Sequence, residues 1–172
     1  MPTSTARLLA TAAGLALVVS ATVAALPAQA AGTPGCTNAD LQASYHRGGG
    51  ALGTRYGRIV LRNTSGHACH TGGYGGISYV GDGNGTQIGA PARRIDASEV
   101  ATYVLQPGQR LRSTIGESEA ANYPRRRCHP AHVDGFRIYV PNATASQYVV
   151  HPTTGCRNAH VRLIVQKPYR RP

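Results

Sequence analysis

Two histidine pairs stand out first, His67-x-x-His70 and His129-x-x-His132. Imidazoles bind zinc-like metals when three or four ligands converge. Each pair adjoins a cysteine, but three-residue spacing in turns or extended chain does not put both rings on one side. They read as surface histidines beside turns, and no metal site is assigned. Glu117 and Glu119 are a second constellation, because paired carboxylates can act as acid and base in a hydrolase. They lie in Gly116–Arg127, a polar stretch that reads as a long exposed loop, so solvated carboxylates are the expectation. Arginines form the third: Arg93-Arg94, Arg125-Arg126-Arg127 and Arg170-Arg171, with Tyr123 and Tyr169 nearby. Guanidinium forks grip phosphates and carboxylates, and tyrosine rings stack on sugars or bases. Arg93, Arg94, Arg125, Arg126 and Arg127 are the candidate anion-binding residues.

Other chemistry finds no footing. The chain has no Gly-x-Ser-x-Gly elbow and no phosphate-cradling glycine loop. Asp82-x-Asn84 begins like a calcium loop. Gln87 then replaces the needed glycine, and Arg93 stands where the closing glutamate should be. The expectation is a non-enzymatic module without a cofactor.

Four cysteines, Cys36, Cys69, Cys128 and Cys156, include no C-x-x-C pair. An even count in a secreted chain reads as two disulfides. A hairpin from Leu41–Tyr45 through Gly48-Gly49-Gly50 to Arg55–Asn63 would bring Cys36 to Cys69. A second hairpin, Phe136–Val140 to Gln147–Val150 through Pro141–Thr144, would bring Cys156 to Cys128. Each bridge would be worth roughly 3–4 kcal/mol in the chain-entropy model.

Secretion is expected from the first 30 residues. Arg7 precedes an apolar run, Leu8–Leu26, and Ala28-Gln29-Ala30 is a small-x-small cleavage site. Residues 31–35 form a flexible lead-in, 36–167 one β domain, and 168–172 a basic, mobile tail. No later segment is apolar enough to span a membrane. The full chain carries a formal net charge of +11, with Lys167 its only lysine. Such a protein is drawn to polyanions. An anionic cell-envelope polymer or a secreted protein is the expected partner class, and nucleic acid is not favoured.

The elements that must position these residues are strands. Period-two alternation marks Leu41–Tyr45 and Arg55–Asn63, the latter with Ile59 and Leu61 inward and Arg58 and Arg62 toward solvent. Asn63-Thr64-Ser65-Gly66 is a turn. Further strands are expected at Ile77–Val80, Thr86–Ile88, Ala101–Leu105, Arg110–Ile115, Asp134–Val140, Gln147–Val150 and Ala159–Val165. Gly81–Gly85 and Gln106–Gln109 should close hairpins. With helical periodicity nearly absent, the class is all-β, an antiparallel sandwich.

Taken in order, several motifs resemble the DUF4232 family of secreted or lipid-anchored actinobacterial domains. They are Cys36, Leu61-x-Asn63-Thr64-Ser65-Gly66, Cys69-x-x-Gly72-Gly73-Tyr74, the Asp82–Gly85 hairpin, Leu105-x-Pro107-Gly108, Cys128-x-Pro130, Ile138-Tyr139-Val140-Pro141 and Cys156. Two features depart from the family pattern: Gly75 replaces a frequent proline, and the chain has no tryptophan. The resemblance implies an immunoglobulin-like sandwich and no particular activity. Thr33-Pro34-Gly35 lacks the apolar residue that a lipid-bearing Cys36 would need. The chain therefore reads as an unanchored protein, outside the cell or wall-associated.

Overall fold

Alternation along Thr54–Asn63 builds a strand with Ile59, Leu61 and Asn63 fully buried and Arg58 and Arg62 exposed. In chain order the strands are β1 (Leu41–Ala51), β2 (Thr54–Asn63), β3 (Cys69–Gly72), β4 (Gly76–Gly81), β5 (Thr86–Ile88), β6 (Arg93–Arg94), β7 (Thr102–Leu105) and β8 (Arg110–Ser118). A single helical turn, α1 (Arg125–Cys128), precedes β9 (Pro130–Tyr139), β10 (Ser146–Cys156) and β11 (Ile164–Gln166). The computed structural model describes residues 32–172; the expected leader, residues 1–30, lies outside the described residues.

One sheet has the order β1-β2-β8-β11-β6, and a second the order β10-β9-β4-β5. All pairings are antiparallel except the short one of β11 with β6. The two sheets enclose one core that includes Ile59, Leu61, Leu111 and Ile115 from the first and Ile77, Val133, Phe136 and Ile138 from the second. At one margin Gln147 of β10 stitches the sheets together. Its Oε1 accepts the Ala43 N–H at 2.8 Å and its Nε2 donates to the Leu41 carbonyl at 2.5 Å. β3 and β7 form a small third sheet. The class is thus an all-β antiparallel sandwich.

Both expected disulfides are present. Cys36 joins Cys69 and Cys128 joins Cys156, with Cα separations of 4.9 and 4.6 Å. The route to the first differs from the expected hairpin. Gly48–Gly50 lies within β1 at a register shift, and the chain turns at Leu52-Gly53, both with positive φ. The lead-in is not free either: Gly35 bridges to His70, and the His70 N–H donates to the Pro34 carbonyl at 2.8 Å.

Three further expectations change. Gly116–Arg127 is not an exposed loop, because β8 runs on through Ser118 and buries Glu117 completely. The Gln106–Gln109 turn is present, but β7 pairs with β3 and β8 with β2, so it joins two sheets rather than closing a hairpin. The basic tail is pinned. Tyr169 is fully buried, its N–H donates to the Gly73 carbonyl at 2.7 Å, and Arg170 exchanges main-chain bonds with Arg112.

Asn63 locks the junction between the sheets. Its Oδ1 accepts from the Ser65 N–H at 2.9 Å, which makes the expected turn. Its Nδ2 donates to the carbonyls of His67 and Leu105 at 2.9 and 3.0 Å. Buried carbonyls stripped of a donor cost about 1–3 kcal/mol each. Asn63→Ala is therefore expected to lower stability by about 2–4 kcal/mol in urea unfolding, and an unchanged midpoint would show that the junction holds without it.

Candidate functional site

The inward alternation of β8, Leu111, Ser113, Ile115, ends on Glu117. Its carboxylate crosses the core to the second sheet. Oε2 accepts from the Tyr79 hydroxyl at 2.5 Å and from His151 Nε2 at 2.8 Å, while Oε1 accepts from the Tyr45 hydroxyl at 3.1 Å. The His151 ring stacks on Phe136, with centroids 4.4 Å apart, and meets the edge of Tyr45. Gly57, inward on β2, makes room for this arrangement, because a Cβ there would collide with the Tyr45 ring.

Burial alone would raise the Glu117 pKa. Hydrogen bonds from His151 and Tyr79, the His151 charge and the Tyr45 bond together overcome it and hold the carboxyl below its ordinary value. Burial and then the Glu117 charge push the Tyr45 hydroxyl up to about 12, and the same causes push Tyr79 further. Both phenols therefore stay protonated and donate.

The structure does not bring Glu117 and Glu119 together. Glu117 is wholly buried, whereas Glu119, two residues on, is exposed. The two carboxylates do not converge on a common cavity. The histidine pairs also sit apart from one another. His67 approaches Asp40 at 3.5 Å, His70 donates to the Thr33 carbonyl, His132 approaches Asp134 at 3.3 Å, and His129 caps α1; all four are exposed. Among the described residues no three metal-ligating side chains form a group. The buried histidine, His151, escaped the sequence reading because Pro152 follows it and the strand was expected to stop at Val150.

The exposed face of the first sheet is different. Register places Arg62 opposite Arg110 and Val60 opposite Arg112, with Arg58 diagonal to Arg112. Cross-strand neighbours on one face have Cβ atoms about 4.5–5.5 Å apart. Arg58, Arg62, Arg110 and Arg112, with His46 from β1, line one shallow cleft of about 420 Å³. All four arginines are exposed, and among the described residues none has a carboxylate within 4.0 Å. Other arginines are committed elsewhere. Arg157 pairs with Asp82 and Arg170 with Glu99.

The arginines singled out from the sequence are distributed otherwise. Arg93 and Arg94 form β6 at the sheet edge, where Arg94 lies over the Tyr74 ring at 5.4 Å. Arg125, Arg126 and Arg127 occupy α1, all exposed. Runs of adjacent arginines drew attention in the sequence. The four uncompensated arginines of this face come from alternate residues of strands about fifty positions apart in the chain, and their grouping is visible only once β2 pairs with β8.

The Glu117 geometry carries a pH dependence. A carboxyl whose folded pKa is depressed contributes stability above its unfolded pKa, and that contribution is lost as pH falls through the folded value. Stability should therefore decline as pH drops below the ordinary glutamate value of 4.5. Removing one member of a buried ionic cluster costs about 3–5 kcal/mol. Glu117→Ala is expected to lose about that much at neutral pH and to flatten the acid limb of the stability profile. An unchanged acid limb, followed by urea unfolding across pH, would count against the assignment.

Residues 36–167 match the family model described as a domain of unknown function, DUF4232. Searches of curated proteins and of solved structures give no match. A match over most of the chain, with both expected disulfides formed, places the protein: it belongs to the DUF4232 family.

Proposed function

We propose that the protein is a secreted, non-enzymatic binding module that holds an anionic envelope polymer across the exposed face of β1, β2 and β8. The observation that carries this reading is the set of four arginines, Arg58, Arg62, Arg110 and Arg112, side by side and without carboxylate partners among the described residues. Guanidinium groups on a flat sheet meet successive phosphates or carboxylates of a chain with little rearrangement. The formal charge, +11 for the full chain and 11 − 1 = +10 without Arg7 of the expected leader, adds long-range attraction. Two disulfides and the leader-like N-terminus support life outside the cell. Among the described residues no helix is long and apolar enough to cross a membrane. The non-enzymatic reading is supported by the commitment of every cysteine to a bridge and by the sealed position of Glu117.

Linear polyphosphate and polyglutamate are suitable probes. Binding should weaken steeply with added salt, because screening and counterion release dominate such contacts. Replacing Arg58 and Arg62 by Ser, or Arg110 and Arg112 by Ser, should reduce the slope of log Kd against log salt by about one per arginine removed. Replacing Arg125, Arg126 and Arg127 should change it less. Salt-independent binding, or full binding by the variant lacking all four sheet arginines, would refute the assignment.

A further inference from the structure

A second cleft, of about 540 Å³, lies between the start of β2, the connection from β8 to α1, and β10. That volume suits a small ligand. Among its lining residues is Arg55, whose Nε is buried. By alternation Arg55 shares the inward face of β2 with Gly57, Ile59 and Leu61, and in register it stands opposite Glu117. An inward arginine is costly unless its donors are satisfied. Here Nη2 donates to the Thr153 hydroxyl at 2.6 Å, while Nε is buried and finds no acceptor among the described residues. Glu117 does not pair with it; its oxygens accept from Tyr45, Tyr79 and His151. Among the described residues no carboxylate lies within 4.0 Å of Arg55.

We propose that this cleft is a binding site, separate from the arginine face, for a small monocarboxylate anchored on the Arg55 guanidinium. Arg125 lines the same cleft and adds a second positive charge, and Glu119 on the lining subtracts one. The balance favours a single negative charge over a phosphate dianion. Ala120, Ala121 and Pro130 leave room for a compact apolar body, and the Tyr123 ring supplies an aromatic wall. Thr154 offers a further hydroxyl. The guanidinium is held in place beforehand by Thr153, so little ordering is needed on binding.

The test is a titration of the isotopically labelled folded protein, followed by amide chemical shifts. N-acetylalanine is the probe, and N-acetylalaninamide is its uncharged counterpart. The carboxylate should give saturable shifts at Ala120, Ala121, Thr153 and Thr154, and the amide should bind at least about tenfold more weakly, since a charge-assisted bond is at stake. Inorganic phosphate should compete poorly. Arg55→Gln should weaken binding by about tenfold or more. Because Arg55 is half-buried, Arg125→Gln provides a variant on an exposed residue, expected to weaken binding without altering the melting temperature. Variants of Arg58, Arg62, Arg110 and Arg112 should leave this binding intact, which separates its failure from failure of polymer binding. Equal affinity for the amide, an unaffected Arg125→Gln protein, or shifts confined to the β2–β8 outer face would each overturn the proposal.

Discussion

A carboxylate with no access to water holds the two sheets in one relation. Desolvating an ion of this kind costs several kcal/mol. Glu117 offsets that cost with three donors, two of them from the opposite sheet. The bonds are directional, unlike the apolar contacts around them. They are made only if β8 faces β4 and β10 with the observed register. Slipping β4 or β10 by one residue against β9 would carry Tyr79 or His151 to the wrong face and strand the charge. Gly57 belongs to the same constraint, because its missing side chain is the space that Tyr45 occupies.

With the interior acid sealed, the chemistry open to partners lies on the faces and margins. β2 serves both proposed sites by strand alternation. Its outward arginines, Arg58 and Arg62, meet Arg110 and Arg112 across the β2–β8 ladder, and its inward Arg55 reaches the cleft beside β10. A strand paired on both sides is a stiff platform. Side chains on it keep their spacing when a ligand arrives, and this rigidity suits recognition of a repeated charge better than a mobile loop would.

The two disulfides act at the margins. Cys36–Cys69 fastens the lead-in beside β3, and Cys128–Cys156 fastens α1 and β9 to the end of β10. The chain end is secured without a bridge, by the buried Tyr169 ring and the main-chain pairing of Arg170 with Arg112. That pairing also puts Pro172 at the edge of the arginine cleft, where it helps to shape the proposed binding face.

Local physics made much of this legible beforehand. Alternation located most strands, Asn63 and its neighbours announced their turn, and the cysteine spacing between hairpins yielded both bridges. Polar residues at inward positions were harder. Glu117 continues the alternation of Leu111, Ser113 and Ile115, and Arg55 that of Ile59 and Leu61; the parity is present in the sequence, but the polar surroundings of Glu117 point to solvent, and parity alone marks Arg55 as inward. What the sequence alone determined was the set of short-range features: strand parity, turns and the covalent framework. Only the tertiary structure decided that β8 runs beside β2, that the tail is pinned under a buried tyrosine, and that three donors surround Glu117. Those outcomes depend on partners far apart in the chain, and the free energy of a buried charge is set by what meets it across the core.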